Sequence, residues 1–343
     1  MSGKIRIGIV GAGGIARARH IPGFRAIEGV EIVSVANRTR ESAERVAKEF
    51  GIPRVYDNWL DLVAESDTDA ICIAAWPNLH YPVTLAAFDS HKHVLCQARM
   101  AMNAHEARTM HDAARARPDL VAQVVPAPFT LAIDDFICET IASGVLGDIL
   151  SVDLQAYQRN FVDRDAPLTW RQDVELSGVN VMTVGIWYET LMRWLGPASR
   201  VLAVARVAVP VRRDSQGRLR TVEIPDQVSV IGDWARGGQF NMRFSAVTGL
   251  APANAVWLYG TEGTLKIETD SLRVFLGRRG DSDLREIHVP EEKRGRWRVE
   301  EEFVNAIRGI EQVRRTTFAD GVRYMEFTEA VVQSARSGQG IAL

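Results

Sequence analysis

The sequence has little of what disulfide-stabilised, zinc-binding or membrane-spanning proteins need. It contains only three cysteines, Cys72, Cys96 and Cys138, whose number and spacing fit neither a disulfide framework nor a zinc site. No apolar run reaches the length that spans a bilayer. The N-terminus leads directly into a strand-like run without a separate apolar leader, so we expect a cytoplasmic protein.

A surplus of one charge is also absent. The 41 Lys and Arg residues nearly balance the 43 Asp and Glu residues, which argues against a nucleic-acid or acidic-membrane partner. A short basic cluster at 212–220 is interrupted by an acid and is typical of a solvated hairpin. What is present is an ordinary globular composition, 46% hydrophobic over 343 residues, which is enough for two domains.

The first third of the chain alternates apolar, strand-like runs with helical patterns. The apolar runs lie at 5–10, 30–36, 70–75, 94–96 and 120–125. Strands that are apolar along their whole length and alternate with helices predict a doubly wound parallel sheet in an α/β domain. Pro126 and Pro128 then break this rhythm, so we predict domains at residues 1–126 and 127–343.

The pattern after these prolines is different. One helix at 130–143 is followed by strand-like runs at 149–158, 201–209, 227–233, 239–245, 255–259 and 272–276. Helical patterns interrupt or follow them at 179–195, 300–309 and 321–334. Long runs with few crossover helices predict a mostly antiparallel open sheet, and therefore an α+β second domain.

A glycine-rich turn, GAGGIA at 11–16, follows the first strand and matches the pattern G-x-G-x-x-A. Gly11 permits the tight turn, and Gly13 lets the backbone approach a pyrophosphate. Gly14 and Ile15 begin a helix whose free N–H groups and partial positive charge attract phosphates. Because the motif lies in the first strand-to-helix turn, it predicts dinucleotide binding, with an unliganded glycine turn as the alternative.

The end of the second strand predicts which cofactor binds. An acid at this point would hold the ribose hydroxyls of NAD, but the sequence has Asn37, Arg38 and Thr39. The neutral Asn37 removes the repulsion of a 2′-phosphate, and the Arg38 guanidinium can pair with it. We therefore expect NADP, with NAD as the second choice. The alternative is that Arg38 is only a solvated surface residue.

A second turn on the same side of the predicted sheet contains Trp76, Pro77, Asn78 and His80. It follows the run at 70–75, and open α/β sheets bind ligands at the carboxyl ends of their strands. Trp76 is placed to stack near a cofactor or simply to pack, and Asn78 is placed to cap the next helix. We expect all four residues to lie at the cofactor.

Together these segments resemble the Gfo/Idh/MocA family of sugar and inositol oxidoreductases. The other matching motifs are PNLH at 77–80, HVLC at 93–96, WRQD at 170–173, RWL at 193–195 and GTEG at 260–263. The resemblance spans essentially the whole chain and implies an N-terminal Rossmann domain, a nicotinamide cofactor and a sugar-like or other small carbonyl or hydroxyl substrate. It also implies a homodimer or homotetramer formed through the C-terminal sheet.

The chain departs from the family at every acid/base position. The family's Glu-Lys-Pro motif falls on Gln97, Ala98 and Arg99, so Ala98 replaces its lysine. The family's aspartate and histidine, four residues apart, fall on Thr183 and Trp187. None of the three replacements can act as a general base near neutral pH, and such a loss typically lowers the rate about 10²–10⁴-fold.

Other polar and aromatic side chains are then candidates for the site. Gln97 is expected to contact the cofactor, and the expected substrate-pocket residues are Arg99, Asn180, Thr183 and Trp187. Tyr157, on the first strand after the junction, and His80, at the cofactor turn, are the two candidate proton donors. A purely structural role is the alternative for each.

Three hypotheses about function follow. The first is a divergent NAD(P)-dependent oxidoreductase with non-standard proton transfer, which favours carbonyl reduction because the cofactor turn is intact and reduction needs no base. The second is a redox-neutral lyase or hydrolase that uses a retained nicotinamide. The third is a catalytically silent nucleotide-binding homologue. We rank the first ahead of the others.

Overall fold

The computed structural model describes residues 4–343, which form two compact units. The first unit contains the chain up to Pro126 together with Arg298–Met325, and the second contains Ala127–Trp297 and Glu326–Leu343. The sequence predicts one domain over 127–343, whereas Arg298–Met325 pack with the first unit. The expected lack of a leader concerns residues 1–3, which lie outside the described residues. No helix in 4–343 is long and apolar enough to cross a membrane.

The first unit is built on a six-stranded parallel sheet. Its strands are β1 (Ile5–Val10), β2 (Val30–Ala36), β3 (Arg54–Tyr56), β4 (Ala70–Ile73), β5 (His93–Cys96) and β6 (Ala122–Val124). Their order is β3-β2-β1-β4-β5-β6, and every neighbouring pair is parallel. This confirms the predicted sheet. The order reverses between β1 and β4, which is where doubly wound sheets bind dinucleotides.

Helices connect the strands of this sheet. They are a π-helical turn (Ala16–His20), α1 (Ile21–Arg25), α2 (Arg40–Phe50), α3 (Trp59–Ala64), α4 (Pro77–Asp89) and α5 (Ala104–Arg115). The central strand β4 is apolar throughout and all four of its residues are buried, as is typical of a strand covered on both faces. A buried contact of 2.5 Å between His20 Nδ1 and Glu300 Oε1 ties the returning segment to this unit.

The second unit contains a nine-stranded sheet and a separate hairpin. The sheet strands are β7 (Ile149–Tyr157), β8 (Ala198–Arg206), β11 (Gln227–Trp234), β12 (Gln239–Ser245), β13 (Ala255–Gly260), β14 (Gly263–Glu268), β15 (Arg273–Arg278), β16 (Arg285–Ile287) and β17 (Ile341–Ala342). Their order is β16-β15-β14-β13-β7-β12-β11-β8-β17. Only β7 and β12 pair in parallel, so the predicted mostly antiparallel sheet is confirmed.

The hairpin consists of β9 (Val211–Arg213) and β10 (Leu219–Thr221), and it corresponds to the basic cluster in the sequence, Arg212, Arg213, Arg218 and Arg220. Not all of this cluster is solvated. Arg212 is buried, and its guanidinium donates to the backbone carbonyls of Asp163 and Ala166. One arginine of the cluster therefore fixes a loop rather than facing water.

The helices after Pro126 are α6 (Asp134–Ala142), α7 (Val174–Ser177), α8 (Val184–Leu195), α9 (Val299–Ile307) and α10 (Phe318–Ser337). The helix predicted at 179–195 begins only at Val184. Gly178 and Met182 have positive φ angles of 63° and 42°, which interrupt the helical backbone between α7 and α8. The residues between these two helices therefore do not lie on a helical face.

The large sheet has one covered face and one open face. Alternate residues of β7, Val152 and Leu154, are buried on the covered face. Tyr188 of α8 packs on the same side. Its ring stacks on that of Phe327, with centroids 3.7 Å apart, and lies nearly parallel to the Trp234 ring, with centroids 6.3 Å apart. The opposite face, which we call the open face, carries exposed apolar side chains on β8 and β11.

Candidate functional site

The glycine turn after β1 has the geometry that a bound phosphate requires. Gly11 has φ +88°, and a Cβ atom there would lie 2.5 Å from the backbone of Ala75, so this position needs glycine. At Gly13 and Gly14, by contrast, a Cβ atom would meet nothing within 4 Å. The Gly13 N–H donates to the Gly11 carbonyl at 2.8 Å, and the helix that follows this turn offers its first N–H groups to an anion.

Asn37 holds this turn in place. Its side-chain oxygen accepts a hydrogen bond from the backbone N–H of Ala12 at 2.7 Å, and its amide nitrogen donates to the Ser42 hydroxyl at 3.0 Å. Asn37 thus links the glycine turn to the first turn of α2. It also places no negative charge at the end of β2, where an acid would repel a 2′-phosphate.

Arg38 and Thr39 complete the end of β2. The Arg38 guanidinium lies 5.2 Å from the centroid of the Trp76 ring, and its side chain is exposed. Thr39 is the N-cap of α2, where its hydroxyl oxygen accepts from the Ser42 N–H at 3.3 Å. The structure therefore presents a cation over an aromatic ring beside the glycine turn.

Two buried amide oxygens at the carboxyl ends of β4 and β5, Asn78 Oδ1 and Gln97 Oε1, lack a hydrogen-bond partner among residues 4–343. Asn78 is not a helix cap, contrary to expectation, because α4 begins at Pro77 with Trp76 at the cap position. Unpaired buried acceptors are costly, and the hydroxyl and amide donors of a dinucleotide would satisfy them. With the open glycine turn, the residues present fit a nicotinamide dinucleotide.

His80 does not have the geometry of a proton donor to a ligand, contrary to one of our expectations. Its ring is fully buried, with Nδ1 2.8 Å from the carbonyl oxygen of Arg99 and Nε2 3.0 Å from that of Ala75. Burial lowers the pKa of His80 below its usual value, although the two carbonyls favour the cation. The ring therefore braces the turns after β4 and β5 and supports the cofactor side indirectly.

The segment after β5 contains Ala98, which the resemblance to the family aligns with its lysine. Ala98 is half-buried and ends in a methyl group. Arg99 is 7% exposed, so most of its side chain lies in the interior rather than on an accessible surface. Its backbone carbonyl is the group that His80 contacts. This segment can position a ligand but cannot remove a proton from one.

In the second unit, Thr183 and Trp187 lie one turn apart at the start of α8. Thr183 is the N-cap, and its carbonyl oxygen accepts from the Trp187 N–H at 2.9 Å. Trp187 is 5% exposed and stacks on Phe129, with ring centroids 4.7 Å apart and planes inclined by 28°. A packed aromatic pair therefore lies at the position where the resemblance to the family predicts a histidine.

Asn180 lies between α7 and α8 and not on the helical face that the sequence predicts. It is 2% exposed, and its amide nitrogen donates to the carbonyl oxygen of Ser177 at 2.7 Å. This contact stabilises the turn that leads to Thr183. Asn180 therefore shapes the segment before α8.

Tyr157, the other candidate proton donor, lies at the last position of β7. The strand alternation places its side chain on the open face, opposite Val152 and Leu154. Asn254 fixes its backbone, accepting from the Tyr157 N–H at 2.7 Å and donating to its carbonyl at 3.1 Å. Because α8 packs on the covered face, the structure does not bring Tyr157 to the side of the sheet that carries Trp187.

A buried charged network, which was not predicted from the sequence, anchors α8. Arg193 contacts Asp134 Oδ2 at 2.9 Å and Glu189 Oε1 at 2.7 Å. Trp194 Nε1 donates to Asp134 at 2.9 Å, and the Glu189 carboxylate accepts from the backbone of Ala127. The spacing of Glu189 and Arg193, four residues apart on an apolar helix, was the available signal.

The sequences of both units match known family models. Residues 5–124 match an oxidoreductase family with an NAD-binding Rossmann fold, and residues 137–266 match the C-terminal domain of the same family. The chain belongs to the Gfo/Idh/MocA family. Its first unit is therefore the NAD-binding Rossmann domain of a family of oxidoreductases.

Individual relatives agree with this assignment. An uncharacterized oxidoreductase of Synechocystis sp. is 24% identical over 80% of this chain and 74% of that protein. Glucose-6-phosphate 3-dehydrogenase of Bacillus subtilis is 35% identical over 49% of this chain and 46% of that protein, so this match spans about half of the relative's length.

Solved structures share the fold over the whole chain. A levoglucosan dehydrogenase in complex with NADH has a TM-score of 0.87 at 20% identity, over 99% of both chains. An NAD-binding oxidoreductase from Klebsiella pneumoniae has a TM-score of 0.85 at 21% identity, also over 99% of both chains. At these identities the likeness shows a common fold.

Proposed function

We propose that this chain is a divergent NADP(H)-dependent oxidoreductase that reduces a small, sugar-like carbonyl compound. The proposal rests on a contrast between the glycine turn, which matches the family, and the acid/base positions, which differ from it. A Cβ atom at Gly13 or Gly14 would meet open space, whereas the positions that the resemblance to the family assigns to acid/base residues hold Ala98, Thr183 and Trp187. A chain that keeps the nucleotide site without a base is suited to reduction rather than alcohol oxidation.

The chemistry of the two directions supports this choice. A bound reduced nicotinamide supplies a hydride, and the carbonyl oxygen then takes up one proton to give an alcohol. Alcohol oxidation instead needs a group that removes the hydroxyl proton, and no methyl, neutral hydroxyl or indole group does so near neutral pH. Since His80 is buried and Tyr157 lies on the open face, we assign the proton to solvent water.

The preference for NADP rests on the end of β2. Asn37 is neutral and engaged with the glycine turn, and Arg38 presents a guanidinium beside it. A guanidinium pairs with a phosphate through charge-assisted hydrogen bonds, whereas ribose hydroxyls alone gain little from a positive charge. The levoglucosan dehydrogenase structure in complex with NADH supports nicotinamide binding in general, and the choice of phosphate form is our inference.

The substrate class is inferred from the relatives and from α8. Glucose-6-phosphate 3-dehydrogenase and levoglucosan dehydrogenase are named for sugar substrates. In this chain the packed Phe129–Trp187 pair takes the place of a histidine, and it is bulkier and apolar. A substrate that is smaller or flatter than a pyranose fits this replacement, because an aromatic surface favours contact with an apolar ring face.

We also propose a homodimer formed through the open face. Residues paired across the strands form one row on this face: Leu202, Ile231, Asn241, Asp153, Trp257, Lys266, Phe275 and Glu286. Leu202, Ile231 and the neighbouring Val204 are exposed, the last by 73%. Exposed apolar side chains grouped on one sheet face are typical of an interaction surface.

The test is a reductase assay with NADPH or NADH and a panel of keto-sugars and small ketones. The proposal expects NADPH oxidation with at least one carbonyl substrate and slower oxidation of the matching alcohol by NADP⁺. Bound NADPH that no substrate consumes would favour the catalytically silent alternative. Turnover without added cofactor would favour the redox-neutral one.

A variant restores the family's acid/base positions in the same assay. The triple change Ala98→Lys, Thr183→Asp and Trp187→His should raise alcohol oxidation relative to carbonyl reduction, because it supplies a general base. The matched control is Ala98→Met, which adds length without a charge and should leave the ratio unchanged. Alcohol oxidation that is already as fast in the unaltered protein would contradict the proposal.

A further inference from the structure

The second unit contains a cavity of about 220 Å³ that none of the predicted site residues lines. Its floor consists of four buried apolar side chains, Val181, Ile224, Val228 and Val331. Its walls come from the turn after α7, the end of β8 and the last turns of α10. Residues 223–225 and β11 also line it, so the cavity is formed by several elements of one unit.

Charged side chains stand at the rim of this cavity. Arg206, Glu223 and Arg336 all line it, and all three are exposed. Among residues 4–343, none of these three forms an ion pair with another side chain. An apolar floor beneath two guanidinium groups and one carboxylate gives a rim with a surplus of positive charge.

We propose that this cavity binds a small amphiphilic carboxylate, with an apolar ring or branched chain on the floor and the carboxylate at Arg206 and Arg336. Its size fits such a ligand, because an apolar cavity of about 150 Å³ already holds benzene. Guanidinium groups recognise a carboxylate through paired N–H donors. The ligand class follows from the cavity alone and does not depend on the reaction of the chain.

The position of the cavity gives the bound carboxylate a consequence. Gly178, Val179 and Val181 line the cavity, and they belong to the segment that also carries Asn180 and Thr183. A ligand bound on the apolar floor of the cavity would contact this segment through Gly178, Val179 and Val181 and would restrict its motion. The site is therefore placed to act as an effector site for the start of α8.

The test uses the full chain and 4-fluorobenzoate as the probe, followed by ¹⁹F NMR in the presence of saturating NADPH. We expect a saturable shift with a Kd of about 1 mM, the affinity that a ligand of this size typically reaches. The double variant Arg206→Gln/Arg336→Gln should weaken binding about tenfold, because it removes both charge-assisted contacts. The control Arg285→Gln alters an exposed arginine on β16, outside the cavity, and should leave binding unchanged.

A second variant tests the apolar part of the site independently. Ala335→Leu fills the cavity from α10 and should abolish binding, whereas Gln333→Leu on the same helix, facing solvent, should not. Hydrogen exchange should slow at 178–183 when the probe binds. The proposal is overturned if no saturable shift occurs, if Ala335→Leu binds as well as the unaltered chain, or if exchange at 178–183 does not change.

Discussion

At the scale of single residues, Arg38 offers the sharpest test of cofactor choice. Replacing it in Arg38→Gln removes the cation beside the glycine turn, so NADPH should bind about tenfold more weakly while NADH binding changes little. Asn37→Asp should act in the same direction, because a carboxylate keeps the contact to the Ala12 N–H but repels a 2′-phosphate. Fluorescence titration with both cofactors measures this. The control Arg40→Gln removes an arginine paired with Glu44 and Asp57, and equal weakening of both cofactors would contradict the prediction.

His93 gives a residue-scale prediction about pH. Burial lowers the pKa of His93, and its Nδ1 accepts a hydrogen bond from the Val121 N–H at 2.8 Å, which requires the neutral ring. The unfolded chain then binds more protons than the folded one, so this stability is complete above the ordinary histidine pKa and is lost as the pH falls through the lower folded value. His93→Asn keeps the acceptor and should reduce the loss of stability between neutral and mildly acidic pH.

Urea unfolding at several pH values measures this effect. The control His105→Asn changes an exposed histidine on α5 and should retain the pH dependence of the unaltered chain. An unchanged pH profile in His93→Asn would show that this ring is not the group responsible.

At the scale of elements, substitutions at two glycines of the turn after β1 should affect stability and cofactor binding differently. Gly11→Ala introduces a Cβ atom against Ala75 at a positive φ, so it should destabilise the protein by about 2 kcal/mol or more. Gly13→Ala meets open space and should change the free energy of unfolding by less than about 0.5 kcal/mol. It should nevertheless weaken NADPH binding about tenfold, because the methyl group lies where the pyrophosphate approaches.

Denaturation and cofactor titration of the two glycine variants together check this prediction. Similar stability loss in both variants, or unimpaired NADPH binding by Gly13→Ala, would mean that the phosphates bind elsewhere.

Elements with a strong local pattern were predictable, and those set by distant contacts were not. The strand Gln239–Ser245 lies where its alternation predicts it. The start of α8 was predicted too early, since the left-handed backbone at Met182 has no signal in the side chain. In the site, the glycine turn followed from spacing, but the burial of His80 depends on the Arg99 and Ala75 carbonyls that enclose it.

At the scale of the whole molecule, the open face predicts self-association. Val204→Asp places a charge among Leu202 and Ile231, and burying an unpaired charge in an apolar interface is costly. We therefore expect light scattering after size-exclusion chromatography to show a dimer for the unaltered chain and a monomer for this variant. Ile310→Asp, at another exposed apolar position, is the control and should remain dimeric. A monomeric unaltered chain would contradict the proposed interface.

The first unit is assembled from two stretches of chain that are far apart in sequence. Glu300, from the later stretch, is the buried partner of His20, and the Tyr324 hydroxyl oxygen accepts a hydrogen bond from the backbone N–H of Met100. During synthesis, the strands of the Rossmann sheet therefore leave the ribosome before these partners. The sheet can be completed only after residues 298–325 have also been synthesised. A fragment that contains only the first 126 residues would be an incomplete nucleotide-binding domain, prone to aggregation. A truncated or fused version of this protein should therefore keep Arg298–Met325 together with those residues.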